Sequence, residues 1–217
     1  MKFSFCLGLF AFVGLAIVDQ TSGHGRLVDP VSRSTMWRQG FNNPPDYDDT
    51  AGYCGGFAHQ YGPAKGKCGI CGDPYDARPR EHEAPDGKYA NGIIVKTYKA
   101  GQKIKAKVEV TANHRGFFEF KLCPNNNVNK DPTMDCFNQH MLLVGPAFNK
   151  GRYYIPEGDG IMVTVELQLP KNLKCSQCIL QWTYTAGNNW GICADGTGAL
   201  GCGPQEHFRA CSDIKIV

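Results

Sequence analysis

The cysteines constrain this chain most. Eleven occur, with Cys6 inside an apolar N-terminal run and the others at 54, 68, 71, 123, 136, 175, 178, 193, 202 and 211. An even set behind a secretory leader reads as a disulfide framework formed in an oxidising compartment. Cys123 with Cys136 and Cys193 with Cys202 are the expected pairs, because each pair brackets a short loop. The partners of the remaining cysteines stay open. Cys68-Gly-Ile-Cys71 and Cys175-Ser-Gln-Cys178 have the spacing of a zinc ribbon, but secretion favours disulfides over thiolate ligands.

The leader has the expected physical parts. Lys2 supplies a positive start, Phe3 to Val18 an apolar stretch, and Asp19-Gln20 end it before the small residues Thr21 and Gly23. Cleavage after Gly23 is expected, giving a signal peptide over 1–23 and one secreted domain over 24–217. The apolar stretch falls short of the roughly 20 residues that span a membrane, so no membrane anchor is expected once it is removed. Cleavage there leaves His24 with two nitrogen donors, its α-amine and its ring. An α-amine has a pKa of about 7.7 to 8.0 and can lose its proton near neutrality, which a backbone amide cannot.

No linker, repeat or charge run divides the chain, and its formal net charge of +3 is too small to point to nucleic acid or an anionic membrane. Gly25 to Asp86 is dense in turn signals such as Asn43-Pro44-Pro45 and Gly72-Asp73-Pro74 and reads as a long, cysteine-tied loop region, with room for a short helix. Beyond Ile93 the period changes to two. Ile104, Ala106, Val108 and Val110 alternate with charges, as do Phe118, Phe120 and Leu122, then Ile161 to Leu169, Leu180 to Tyr184, and Ile214 with Ile216. Short alternating strands without a helical stripe predict an all-β fold. The expected form is an antiparallel β-sandwich of the immunoglobulin or fibronectin-III kind with long disulfide-bonded loops.

Apart from His24, the histidines are His59, His82, His114, His140 and His207, and none is paired at a local metal-binding spacing. Any site must therefore draw on distant segments. His114 is the best placed, since Thr111-Ala112-Asn113-His114-Arg115-Gly116 ends one strand and turns before the next.

Mature His24-Gly25, then Leu27, Pro30 and Arg33-Ser34, Ala112-x-His114 after a strand, and Gln205-Glu206-x-Phe208 ahead of Asp213-Ile214 together resemble a lytic polysaccharide monooxygenase. The cysteine pattern is most similar to auxiliary activity family 15. The resemblance spans essentially the whole mature chain. It implies a histidine brace, in which one copper ion is held by the His24 amine, a His24 ring nitrogen and a His114 ring nitrogen. Three such nitrogens suit tetragonal Cu(II). It further implies that Phe208 blocks the axial position, that Ala112 restricts access on the open side, and that Glu206 positions the oxidant by hydrogen bonding. Gln205 is a weaker candidate of the same kind. Alternation turns the neighbouring His207 away from Phe208. Tyr47, in the early loop, is the residue expected to stack on sugar rings.

The activity implied is copper-dependent oxidative cleavage of crystalline polysaccharide, chitin favoured over cellulose, with an external reductant and O2 or H2O2 as co-substrate. The expected partners are the crystal surface and an electron donor, with the enzyme a monomer. A noncatalytic secreted chitin- or cellulose-binding module is the alternative, and a disulfide-rich structural or copper-carrying protein a further one. A hydrolase would need a carboxylate pair that the sequence does not offer.

Overall fold

The alternating segments form strands in the computed structural model, which describes residues 24–142, 148–149 and 151–217; the expected leader over 1–23 lies outside the described residues. In chain order the strands are β1 (His24–Asp29), β2 (Lys96–Tyr98), β3 (Lys103–Ala112), β4 (Phe117–Cys123), β5 (Phe148–Asn149), β6 (Arg152–Tyr154), β7 (Ile161–Gln168), β8 (Cys175–Thr185), β9 (Trp190–Ile192), β10 (Gly198–Leu200) and β11 (His207–Ile216). Two short helices, α1 (Phe57–Tyr61) and α2 (Met134–Asn138), and a 3-10 turn at Met36–Gln39 complete the described elements.

A three-stranded sheet in the order β1-β3-β7 faces a six-stranded sheet in the order β2-β11-β8-β4-β6-β5. Alternation decides which side chains lie between them. Ile104, Ala106, Val108 and Val110 are buried while Lys103, Lys105 and Lys107 face water. They meet Phe118, Phe120, Leu180, Trp182, Tyr184 and Phe208 from the larger sheet in one apolar core. The predicted sandwich is thus present, with two differences. β2 runs parallel to β11, Ile214 lying beside Lys96. And the chain is already a strand at His24, where the sequence suggested loop from Gly25 onward. The segment His24–Asp29 has little alternation of its own and is made a strand by pairing with β3.

The region between β1 and β2 forms a third layer over the outer face of the larger sheet. This is why β8 is buried on both faces over most of its length. Ile70 and Cys71 pack against Ile179 and Cys211, and Gln181 donates its side-chain N–H to the Ile70 carbonyl at 2.7 Å. Arg33, 2% exposed, reaches through this layer to make a two-pronged pair with Asp213, with bonds of 2.7 and 2.8 Å, and a second with Asp131. The free edge of β11 is covered as well, since Arg33 donates its backbone N–H to Cys211 and Arg209 donates its own to Gly52. A Cβ at Gly52 would lie 2.3 Å from the Arg209 carbonyl oxygen, so only glycine allows that approach.

All ten downstream cysteines are paired. The bridges are Cys54–Cys68, Cys71–Cys211, Cys123–Cys136, Cys175–Cys178 and Cys193–Cys202. Both expected pairs are present, and the zinc-ribbon alternative is excluded because each of its four thiols is used. Cys175–Cys178 spans a β-bulge, three steps on β8 opposing two on β11. Cys71–Cys211 ties the loop layer to β11 across a sequence separation of 140.

Within that layer His82 lies between two acids, its Nε2 3.0 Å from Asp46 and its Nδ1 3.0 Å from Asp73, with its ring stacked on Tyr89. Lys88 sits beside the Tyr89 ring, and Arg33 donates to the His82 carbonyl. Burial opposes charge on the ring, but the hydrogen bonds and charges of Asp46 and Asp73 outweigh it and raise the pKa to about 9. A raised pKa stabilises the fold fully below the unfolded value of about 6.5, and that stabilisation is lost as pH rises toward 9. The fold is therefore expected to lose on the order of 3 kcal/mol from this group between those limits. Urea unfolding should show wild type more stable than His82→Gln at pH 6.5 and the two converging above pH 9; a difference that does not change with pH would exclude a charged His82.

Candidate metal centre

β1 and β3 end at the same tip of the sandwich. His24 stands opposite Ala112, and a bulge follows at once, since Gly25 stands opposite Val110. A Cβ on Gly25 would lie 3.1 Å from the Glu109 carbonyl oxygen and 3.3 Å from the Trp182 ring, so a small residue after His24 lets β1 lie close. His114 lies two residues past Ala112 in the turn between β3 and β4. The strand pairing alone thus brings the two expected ligands to one place.

His114 is fixed through its backbone. Its N–H donates to the Tyr184 hydroxyl at 2.8 Å, and its carbonyl accepts the N–H of Gly187 at 2.8 Å. Left-handed backbone at Arg115 and Gly116 reverses the chain, and a Cβ at Gly116 would meet the Thr185 carbonyl oxygen at 2.0 Å. Phe208, fully buried, lies edge-on to the His24 ring with centroids 6.4 Å apart and stacks on Tyr184 at 5.4 Å. Tyr184 therefore serves both histidines, holding one by its hydroxyl and backing the other through Phe208.

The ring nitrogens differ in their surroundings. His24 Nδ1 is buried and has no hydrogen-bond partner among the described residues. His114 Nδ1 lies 2.9 Å from the side-chain nitrogen of Asn188, which leaves Nε2 as its other donor. Burial, and then the neighbouring His24, lower the pKa of His114, favouring the neutral ring that binds metals.

Glu206 just precedes β11, so strand alternation does not extend to it. Its carboxylate accepts the Phe57 N–H and lies close to Gly56, and its charge is felt at Tyr184. Burial raises its pKa and the Phe57 bond partly opposes this. His207 points the other way, as its parity with Phe208 predicts. Its Nδ1 accepts from Gln60 at 2.8 Å, and burial together with Arg209 lowers its pKa to about 4. Gln205 acts as a clamp instead of facing the histidines, bonding the backbone of Asn189 on both sides and the Cys202 carbonyl. Tyr47 is 84% exposed and edge-on to Trp37. Its loop is joined to β1 through Asp49, which accepts from Arg26, but no contact among the described residues joins Tyr47 to either histidine.

Sequence reasoning missed the β9–β10 hairpin. Trp190 pairs with Leu200 and Ile192 with Gly198, so Trp190, Ile192 and Leu200 share one face, exposed by 66%, 58% and 62%. Cys193–Cys202 closes the hairpin, and Trp190 follows Asn188, the residue touching His114, by two positions. Asn188-Asn189-Trp190 ahead of a bracketing cysteine pair was the available signal.

A sequence model of the family described as lytic polysaccharide mono-oxygenase, cellulose-degrading, matches residues 24–214. The chain belongs to the lytic polysaccharide monooxygenases. The auxiliary activity family 15 monooxygenase from Thermobia domestica, solved in the Cu(I) state, is 45% identical, covers 89% of this chain and 98% of its own, and superposes with a TM-score of 0.84. A family 10 monooxygenase from Streptomyces lividans is 18% identical, with 88% and 99% of the two chains covered and a TM-score of 0.52, a likeness of fold alone. The same holds for a cellulose-active monooxygenase in complex with copper, 17% identical, with 88% and 98% covered and a TM-score of 0.52. No curated protein matches significantly. The protein is thus a copper monooxygenase that cleaves polysaccharide oxidatively, with an external reductant and O2 or H2O2 as co-substrate.

Proposed function

We propose that cleavage after Gly23 frees the His24 amine and that this amine, Nδ1 of His24 and Nε2 of His114 hold one copper ion. The observation that carries the reading is His24 Nδ1. A buried nitrogen left without a partner costs about 1–3 kcal/mol, and a metal removes that cost. Among the described residues no three His, Cys, Asp or Glu side chains gather into a metal site. In this reading the third donor is the His24 amine freed by cleavage after Gly23, as the resemblance to the family implies.

Copper, when bound, supplies the redox chemistry by which O2 or H2O2 oxidises a carbon flanking the glycosidic bond. The chain's own residues prepare the setting. Phe208 fills the space beside His24 and excludes water and ligands from that side. Ala112, opposite His24, narrows access on the other side without closing it, since its side chain is a single methyl group, and the Glu206 carboxyl orients the co-substrate by hydrogen bonding. The hydroxylated carbon then eliminates its neighbouring sugar, which breaks the chain.

The substrate is a solid surface, crystalline chitin in preference to cellulose. That preference rests on Ala112 and the early aromatic loop, which resemble chitin-oxidising members. The exposed face of the β9–β10 hairpin supports a flat contact beside His114, with Tyr47 as a second stacking residue. The enzyme acts as an extracellular monomer that takes electrons from a separate donor; among the described residues no helix is long and apolar enough to cross a membrane.

Trp190→Ala is expected to weaken binding to the solid by about five- to tenfold, and Tyr47→Ala by less, with the Cu(II) spin-resonance spectrum unchanged in both. If both variants bind the solid like wild type, the surface assigned here is wrong. The function itself is tested by mass spectrometry of products from chitin and from cellulose, using protein that begins at His24, with copper and ascorbate. Oxidised products from cellulose alone would remove the chitin preference. Their absence from both solids would favour a binding module.

A further inference from the structure

We propose that the cavity between the outer layer and α2 binds a small aromatic carboxylate, its carboxyl group held by Arg209 and its negative charge shared with Lys67. The proposal does not rest on the copper site.

The cavity has a volume of about 650 Å3, within the range of small-molecule sites. Lys67, Cys68 and Ile70 line one side of it, and Thr133 and Met134 another. Cys54–Cys68 ties down the first side and Cys123–Cys136 the second, so the cavity is built in advance. Arg209 reaches it from β11. Phe208 and Ala210 belong to the core between the sheets, and alternation turns the residue between them outward.

The guanidinium of Arg209 is only partly used. Nη1 donates to the carbonyls of Cys68 and Gly69 at 3.4 and 3.1 Å and lies 3.7 Å from the Met134 sulfur. Nε is buried with no acceptor among the described residues, and Nη2 makes no hydrogen bond or ion pair with any of them. Arg33 shows what that edge does when an acid meets it, its Nε and Nη2 gripping the two oxygens of Asp213 at 2.7 and 2.8 Å. The same edge of Arg209 fits a carboxylate in two-pronged fashion. The acids of the cavity do not take that place. Glu83 is paired with Arg80 at 2.9 Å, and Asp135 is exposed. Burial lowers the pKa of Arg209, and the more distant Glu83, Glu119 and Tyr61 only partly offset this. An arginine nevertheless keeps its proton, so the buried charge favours an anion beside it.

The other lining residues specify the body of the ligand. Lys67 and Arg80 lie over the Tyr75 ring at 5.0 and 4.8 Å. Lys67 is exposed and in no ion pair among the described residues, which leaves its charge for a ligand. Three cations, Lys67, Arg80 and Arg209, against Glu83 and Asp135 leave the lining positive. Ile70, Tyr75 and Met134 add apolar surface that an inorganic anion would leave uncovered, and a planar ring bearing a carboxylate satisfies both.

The test titrates benzoate, and benzamide as its uncharged analogue, into the copper-loaded chain that begins at His24, with binding read by calorimetry. Wild type should bind benzoate with a Kd of about 1 mM or tighter and benzamide at least about tenfold more weakly, with the Cu(II) spin-resonance spectrum unchanged. Arg209→Lys keeps the charge but lacks the two-pronged edge, and should weaken benzoate binding about tenfold. Lys67→Ala, at an exposed position, should weaken it about two- to fivefold. Equal affinity for benzoate and benzamide, or no benzoate binding at about 10 mM, would overturn the proposal. So would wild-type affinity in Arg209→Lys, and, if that variant fails to fold, wild-type affinity in Lys67→Ala. A spectrum that changes in step with binding would place benzoate on the metal and also overturn the site, while leaving the copper reading intact.

Discussion

A chain that starts one residue early, with a single glycine ahead of His24, is expected to bind Cu(II) about a hundredfold more weakly or worse and to release no oxidised products. The extra residue turns the α-amine into an amide. The amine would otherwise lose its proton at a pKa of about 7.7 to 8.0 and donate to the metal, whereas the amide keeps its proton near neutrality. Nothing else at the tip changes, because β1 is held by its pairing with β3 and by the buried Leu27. Copper-free thermal unfolding of the two forms should coincide. Equal copper affinity, measured by competition with a chelator, would eliminate the amine as a ligand.

The second large effect is expected from His114→Ala, which should abolish polysaccharide oxidation and tight copper binding while leaving the fold intact. The side chain is buried but sits in a turn, and its one hydrogen bond among the described residues is to Asn188. The bonds that shape the turn, from the His114 N–H to Tyr184 and from Gly187 to the His114 carbonyl, belong to the backbone and survive substitution. The copper-free variant should therefore lose about 1 kcal/mol or less. A loss several times larger would identify His114 as a packing residue, whatever happened to activity.

Much of the sandwich was legible because water on one face and a core on the other impose a period of two, as in Lys103–Ala112 and Ile161–Gln168. β1 was not, since its six residues become a strand through a partner some eighty positions away. The two expected ligands could be placed from a cleavage signal and a strand end, Phe208 only from the resemblance by its place five residues before Asp213, and the opposite facing of His207 from parity. Tyr184 could not be assigned its role in the same way. Its place in an alternating strand marks it as core, and only the folded chain shows its hydroxyl holding His114. Tyr47 shows the opposite failure. Exposure of an aromatic in a loop is readable, but which loop comes to lie beside a given tip depends on how the layers stack.

The arrangement of the layers separates two capacities that are easily taken as one. His24 opens β1 and His114 lies in the turn just after β3, both within the sandwich, whereas Tyr47, Phe57 and the surroundings of Glu206 belong to the outer layer, which Cys54–Cys68 and Cys71–Cys211 close and tie down. The hairpin that carries Trp190 depends likewise on Cys193–Cys202. In a reducing compartment the strand pairing that joins His24 to His114 could form while these sugar-facing parts lacked their ties. Chemical reactivity without a surface to direct it would endanger the protein itself and its neighbours. On the proposed reading, export would avoid that state, because one oxidising compartment would supply both the removal of the expected leader over 1–23 and disulfide formation.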